Sequence, residues 1–449
     1  MPTYLLHEKA AEAFNVRAVE ISTAVSGSNP VSREQRAPLV GSAAHRPIAA
    51  ELTSRDIISA LRYTTRSDPV SGELVGVDFF AANGVIRVEG PIARKISALS
   101  RDVVARSELR DVCDAEFVQG ALLDWLVGED RDRQGSWSDA LLAKVAASVA
   151  SMTFRVPLAG VDIEAPFEIG PYRLNFFTSA DIERMLLHAP EEVRERAKQK
   201  YQRTFQGRVC VEGDVTAVYS RATTAALNAA EDVVRALRFV HAAAFDIGVR
   251  CGLGVYGRVV QSGYEVAFVT DKGYRRASGS DWPHDGGELF IPQREIPLFL
   301  QGGLAAVMAY LAASSHSALQ DEAWSALNIF CRGVELGPWR DRLINSLVSA
   351  ETLMLANETE PVQRSLGQRM ATLLGGSLEQ KKKLVDDLKF AYAARSGFMH
   401  HGEDRYSHAD RERLSNVLLA CHEVVHFCLK TPTPTKQELI RKIDDALLE

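Results

Sequence analysis

Two residues with charged side chains lie at helical spacings from apolar residues in the C-terminal part of the chain. Arg395 follows Leu388 by seven residues, so on a helix it projects within about 20° of the apolar stripe to which that leucine belongs. Glu351 follows Ile344 by seven residues and is directed inward in the same way. Because an unpaired buried charge is very unfavourable, we expect the Glu351 carboxylate to pair with the Arg395 guanidinium.

The arginine opens the string RSGFMHHG, residues 395–402. We expect the helix to break at Gly397 or just after Met399, which leaves His400 near a helix end. An imidazole titrates near neutral pH and can transfer protons. A guanidinium presents a planar fork of donors to an anion. The pattern therefore predicts a site for acid–base chemistry on an anionic group.

This string resembles the R-x4-6-H motif of HEPN domains: an arginine, a small polar residue, three further residues, a histidine and a nearby glycine. The preceding helix SLVSAETLML and the following helix LSNVLLACHEVVHFCL resemble the Apea-like HEPN subgroup in particular. The resemblance covers about residues 320–430 and does not extend to the first 300.

The resemblance implies a helical bundle that forms a homodimer with its motifs facing each other, and a metal-independent endoribonuclease that needs no cofactor. In that chemistry an RNA 2'-hydroxyl attacks the adjacent phosphate. His400 would move protons, Arg395 would stabilise the added negative charge, and Ser396 would donate a hydrogen bond to a phosphate oxygen. Glu351 would orient the arginine, and His401 would be a bystander or a helper.

Two other functions stay open. A HEPN module without cleavage activity would serve as an RNA-binding or dimerisation element. The lesser alternative is a zinc peptidase, because His422, Glu423 and His426 match H-E-x-x-H. No third zinc ligand is evident after this motif, and the helix has an apolar face that already accounts for its packing. We expect both histidines to flank that face, and we expect no metal.

Composition limits the class of protein. Of 449 residues, 46% are hydrophobic and 24% charged, as in ordinary soluble globular proteins. The 52 Lys and Arg against 58 Asp and Glu leave a formal charge of -6, which excludes a generally basic protein that coats nucleic acid. Six cysteines without a C-x-x-C pair argue against a zinc ribbon or a disulfide scaffold. No stretch comes near eighteen consecutive apolar residues and no signal peptide is evident, so we expect a cytoplasmic protein without a membrane span.

The fold class predicted is an α+β N-terminal region followed by an all-α, antiparallel helical bundle of HEPN type. We expect residues 1–135 to be a mixed region with a mobile segment at 24–53. Residues 140–299 would be an α+β domain that senses an unknown trigger, and residues 300–449 the HEPN domain. The helical patterns in this last part cover 303–314, 320–333, 338–356, 361–374, 378–396, 409–430 and 435–448.

Overall fold

The structure is a computed structural model of the whole chain. It describes residues 5–26, 63–68, 74–81, 84–105, 108–127, 136–187, 190–256, 262–270, 273–281, 286–287, 289–336, 338–357, 359–401 and 407–448. For some of these residues only the backbone is described, and not the side chain. They are 79–81, 84–86, 192–193, 262–270, 273–281, 286–287, 336 and 399–401.

The chain divides into two compact units. The first comprises residues 1–152 and 214–225, and the second comprises 153–213 and 226–449. The boundary expected at residue 300 therefore lies inside the second unit, and the boundary expected near 140 lies inside the first. The sequence change from mixed elements to helices near residue 300 marks a change of secondary structure within one core, not a change of domain.

The first unit combines helices with a three-stranded sheet. Its helices are α1 (Glu8–Ser26), α2 (Pro91–Ala105), α3 (Ala115–Val127) and α4 (Trp137–Ser148). Its sheet has the order β1 (Tyr63–Ser67), β2 (Leu74–Ala81) and β3 (Gly84–Glu89), with both pairings antiparallel. The sequence predicts two strands within 71–90 around a turn at Ala82, Asn83 and Gly84. Gly84 is the first residue of β3 and pairs with Ala81, and Ala82 and Asn83 lie outside the described residues.

The mobile segment expected at 24–53 begins inside a helix. Residues 24–26 form the last turn of α1, where Val25 is buried with Ile21 in the core of the first unit. The rest of that segment, 27–53, lies outside the described residues. A serine- and glycine-rich sequence begins at this point, but the apolar stripe of α1 extends into it and favours one more helical turn.

The strands that follow β3 belong to the second unit, except residues 150–152 and 214–217, which belong to the first. They are β4 (Ala150–Ala159), β5 (Val161–Ile163), β6 (Phe167–Ile169), β7 (Tyr172–Phe176), β8 (Val209–Ala217), β9 (Arg250–Cys251), β10 (Gly254–Val255), β11 (Ser262–Thr270), β12 (Gly273–Asp281), β13 (Gly286–Gly287) and β14 (Leu289–Ile291). The main sheet has the order β10-β4-β8-β7-β6. The polar pattern over 275–288 predicts a loop, but residues 275–281 form most of β12, whose backbone pairs along its whole length with β11.

Helices lie between and after these strands, from residue 179 onward. They are α5 (Ser179–Met185), α6 (Glu191–Phe205), α7 (Tyr219–Val240), α8 (Ile296–Phe299), α9 (Ala305–Ala312), α10 (Ala318–Leu336), α11 (Trp339–Met354), α12 (Val362–Leu374), α13 (Leu378–His401), α14 (His408–Lys430) and α15 (Lys436–Ala446). The mostly helical character of the C-terminal part is confirmed. The charged pattern over 181–203 predicts one helix, but the structure has two, α5 and α6, with Pro190 at the N-cap of α6.

One core joins the strands and the helices of the second unit. It contains Leu174 of β7, Leu237 of α7, Leu347 of α11 and Val424 of α14, each almost completely buried. Burial of this apolar surface is the main favourable contribution to the folding of the unit. Leu388 and Ala391 of α13, the helix that carries the motif, belong to the same core as the sheet.

Among the described residues, one helical stretch is long and apolar enough to cross a membrane by length and composition alone. It is Gln293–Ala312, with a mean hydropathy of 1.4. Core helices of soluble proteins meet the same criterion, so a single stretch is weak evidence for a membrane span. Leu304 and Val307 within it are buried in the core of the second unit.

Candidate functional site

The helix that carries the motif is longer than the sequence predicted. Its first turn is capped reciprocally by Ser377 and Gln380: the Ser377 N–H donates to Gln380 Oε1 at 2.8 Å, and the Gln380 N–H donates to Ser377 Oγ at 3.3 Å. At the other end α13 continues to His401. The expected break at Gly397 or after Met399 is therefore wrong, since Gly397 is not among the glycines with positive φ. A glycine inside a helix costs only about 1 kcal/mol relative to alanine.

The expected contact between Glu351 and Arg395 is present. Arg395 on α13 donates from Nη1 to Glu351 Oε1 on α11 at 3.1 Å. The pair is half-buried and not deeply buried: the side chains are 32% and 20% exposed. Partial desolvation strengthens this bond relative to a surface ion pair, but solvent still screens it. The arginine is thus tied to a neighbouring helix while one part of it stays accessible.

The inward face of α11 differs from the predicted one by about one position. The buried residues include Leu343, Leu347 and Ala350, whereas Ile344, which the sequence placed on the inward stripe, is only partly buried. The burial pattern shifts because α11 packs against both α10 and α14, and the buried Ser346 and Ser349 widen its inward face. Glu351 therefore lies at the edge of the buried face, which explains its partial exposure.

Tyr392 completes the contact, and sequence reasoning missed its role. Its Oη donates to Glu351 Oε1, the oxygen that also accepts from Arg395, at 2.6 Å. Burial, together with this hydrogen bond, raises the pKa of Tyr392 well above its usual value, so the phenol stays a donor. The sequence placed Tyr392 on the apolar stripe of α13. A hydroxyl on such a stripe, three residues before an arginine, is a signal that it requires a polar partner.

The other predicted residues of the motif are placed only in part. The backbone of His400 and His401 lies in the last turn of α13, and their side chains lie outside the described residues. Ser396 is exposed. The roles predicted for these three residues stay predictions.

The H-E-x-x-H sequence lies within α14, and its geometry does not favour a zinc site. His422 is 1% exposed. Its ring stacks on Phe239 at 4.0 Å between centroids and packs edge-on against Phe245 at 4.8 Å. Within the described ranges, no group of three His, Cys, Asp or Glu side chains is arranged to hold a metal ion. A catalytic zinc needs a position open to water and substrate, and an imidazole inside an aromatic stack does not supply one.

The expectation that His422 flanks the apolar face of α14 is wrong, because its ring lies in the core. Burial, with a smaller contribution from nearby His426, lowers the pKa of His422 to about 3. The ring is therefore neutral at physiological pH. His426 is partly exposed, with Nδ1 3.8 Å from Glu423 Oε2, in agreement with a boundary position.

Comparison of the chain with protein-family models finds no match, and comparison with curated proteins and with solved structures finds no match either. The likeness to HEPN domains therefore rests on the residues of the motif and of the two adjoining helices. What it implies for function is a proposal.

Proposed function

We propose that the chain is a metal-independent endoribonuclease of the HEPN type. The observation that supports this most is the shared acceptor Glu351 Oε1, which binds both Tyr392 and Arg395. It holds the motif arginine at a defined place two helical turns before the end of α13. An active site that stabilises charge in a transition state needs this kind of fixed donor, because a preorganised group requires no rearrangement during the reaction.

The proposed reaction is an attack of an RNA 2'-hydroxyl on the adjacent phosphorus. The bond from O2' to phosphorus forms and the bond from phosphorus to O5' breaks, which yields a 2',3'-cyclic phosphate and a free 5'-hydroxyl. One imidazole accepts the 2'-hydroxyl proton, and an acid returns a proton to the leaving O5'. We assign proton transfer to His400 and stabilisation of the phosphorane oxygens to Arg395, and we keep His401 as a helper.

The remaining residues support these two. Ser396 is exposed on the helix that carries the motif and is proposed to donate to a phosphate oxygen. Glu351 orients Arg395 and transfers no proton. A homodimer would bring two motifs together, so that one His400 acts as base and its mate as acid. By the same resemblance, the proposed biological role is antiviral defence or a toxin-like activity under an unidentified trigger.

The test is RNA cleavage by the purified chain in the presence of EDTA. We expect wild type to cut RNA and to leave cyclic phosphate ends, which mass spectrometry of the products identifies. His400→Ala should lower the rate by about 10²- to 10⁴-fold, the usual contribution of general acid–base catalysis. Arg395→Ala should lower it by about 10²-fold or more.

Two results would contradict the proposal. Cleavage that is unchanged in both variants would exclude this motif as the site. RNA binding by wild type without any cleavage would favour the alternative, a HEPN module that binds RNA or dimerises without catalysis.

A further inference from the structure

A second arginine lies against the helix that carries the motif. Arg340, in the first turn of α11, has its guanidinium carbon 4.4 Å from the centroid of the Phe398 ring. Phe398 lies on α13 between Arg395 and His400. The same guanidinium carbon lies 6.0 Å from the ring of Trp339. A guanidinium at such a distance is attracted by the ring electrons, so Phe398 favours one position of the Arg340 side chain.

The ring of Phe398 differs from the other apolar groups on its helix. Leu388 and Ala391 are buried in the core of the second unit, and Tyr392 packs against that core. Phe398 is only partly buried and is not among the described side chains that pack against the core. Its described contact is with the guanidinium of Arg340.

Two arginines have described contacts at the C-terminal part of α13: Arg395 donates to Glu351, and Arg340 lies over the Phe398 ring. Arg395 and Phe398 are three residues apart and are neighbours on one side of the helix, and Arg340 lies over the second of them. An arginine stacked on a ring keeps its N–H groups in the plane of the guanidinium, where they can donate to the oxygens of a phosphate. In a chain with a formal charge of -6, a guanidinium held at a fixed place beside the motif helix is the kind of local group that binds a polyanion.

We propose that Arg340, held by Phe398, is a subsite for the RNA phosphate adjacent to the one that is cut. This inference rests on the proposed ribonuclease function and names a residue that binds substrate without taking part in the chemical step. Arg395 acts on the reacting phosphate and Arg340 fixes the register of the strand. Loss of Arg340 therefore weakens binding equally in the ground state and the transition state, which raises KM and leaves kcat unchanged.

The experiment measures binding of a short fluorescein-labelled single-stranded RNA of mixed sequence at several salt concentrations. Binding is measured with the full chain carrying His400→Ala, so that the RNA is not cut. Kinetics are measured with the full chain that keeps His400. Each substitution below is made in both backgrounds. Arg340→Ala should raise Kd and KM about tenfold, lower the slope of log K against log salt by about 1, and leave kcat within about twofold. Arg340→Lys should keep the slope, because the charge remains, and raise Kd about threefold through loss of the planar fork.

Lys382→Ala is the matched control. It removes one exposed positive charge from α13, about 20 Å along the helix axis from Arg395. This variant should leave Kd and the salt slope unchanged. Phe398→Leu keeps an apolar side chain but removes the ring, and should raise Kd about threefold through loss of the cation–π contact. Thermal unfolding of each variant shows whether α11 and α13 are still in place.

The outcomes separate the two proposals. If wild type cuts RNA and the Arg340→Ala variant has an unchanged Kd and salt slope, the subsite is overturned and the ribonuclease proposal is not. An equal effect of Lys382→Ala overturns it too, since the effect would then belong to the general charge. If binding is weaker, Tm is lower and the salt slope is unchanged, the loss of binding is due to impaired folding, and the subsite is again overturned. Wild type that neither binds nor cuts RNA overturns the ribonuclease and the subsite together.

Discussion

At the scale of single residues, one carboxylate oxygen determines the geometry of the candidate site. Glu351 Oε1 accepts from both a phenol and a guanidinium. Two donors on one oxygen restrict the carboxylate more than the ion pair alone would, because the phenol adds a second fixed direction. Tyr392 is therefore a positioning residue that acts on Arg395 through Glu351.

Tyr392→Phe tests this role. Removing the hydroxyl should cost about 1 kcal/mol of stability, the usual net contribution of a hydrogen bond. The rate of RNA cleavage should fall about tenfold, mainly in kcat, because Arg395 is less restrained when the transition state forms. The measurement is steady-state kinetics with unfolding in urea.

The control for Tyr392→Phe is Tyr201→Phe on α6, which removes a phenol from another part of the second unit and should leave kcat unchanged. A Tyr392→Phe variant with wild-type kcat would show that Glu351 and Arg395 keep their geometry without the hydroxyl. If Tyr392→Phe lowers only the amount of folded protein, and kcat per folded molecule stays normal, then Tyr392 has a structural role only.

At the scale of elements, a glycine at the join between α8 and α9 permits a close approach to the core. Gly303 has a φ of 114° inside a helical stretch, a backbone conformation that other residues adopt only with strain. A Cβ built there would lie 2.7 Å from Phe239 Cε1. The aromatic cluster around His422 therefore packs directly against this backbone.

Gly303→Ala should destabilise the second unit by about 3 kcal/mol, from backbone strain and from overpacking against Phe239. Gly302→Ala is the matched control, because a Cβ at this neighbouring position meets nothing within 4 Å. It should change stability by less than about 1 kcal/mol. Unfolding in urea measures both variants, and equal effects would refute the packing argument.

At the scale of the whole molecule, the core of the second unit links its strands to its helices, including α13, which carries the motif. His422 of α14 lies in this core against Phe239 of α7 and Phe245. Its state of protonation therefore affects the stability of the whole unit. Two side chains of α14 with titratable groups lie beside its ring. The His426 ring centroid is 6.3 Å from that of His422, and Glu423 Oε1 is 3.9 Å from His422 Nδ1.

The stability of the second unit should fall with pH below about 6.5. In the folded state the pKa of His422 is lowered to about 3 from an ordinary 6.5. Between these values the unfolded chain binds a proton that the folded chain does not, so acid favours unfolding. From pH 7 to pH 5 this histidine should account for a loss of about 2 kcal/mol.

His422→Phe keeps an aromatic ring in the stack and removes the titration. We expect the loss of stability from pH 7 to pH 5 to be about 2 kcal/mol smaller in this variant than in wild type, measured by urea unfolding at the two pH values. His408→Gln, at an exposed position in the first turn of α14, is the control and should behave as wild type. A pH dependence equal in His422→Phe and wild type would contradict the argument.

Local pattern was sufficient to predict most elements of the C-terminal part. Helical periodicity predicted α10 to α12, α14 and α15 to within about two residues at most ends, because the apolar stripe and the caps are properties of neighbouring residues. The heptad spacing also placed Glu351 and Arg395 on faces that meet. The contact between them is thus determined by the sequence of two helices that pack together.

Only the tertiary structure decided the features that depend on distant neighbours. Gly397 continues the helix instead of ending it, and Tyr392 contacts Glu351 because α11 packs beside α13. His422 is buried because Phe239 and Phe245, nearly two hundred residues earlier in the chain, surround it. The boundary expected at residue 300 disappears for the same reason, since strands and helices that differ in pattern bury their apolar surface in one core. Periodicity shows which face of an element is apolar, but the partner of that face is determined by the fold.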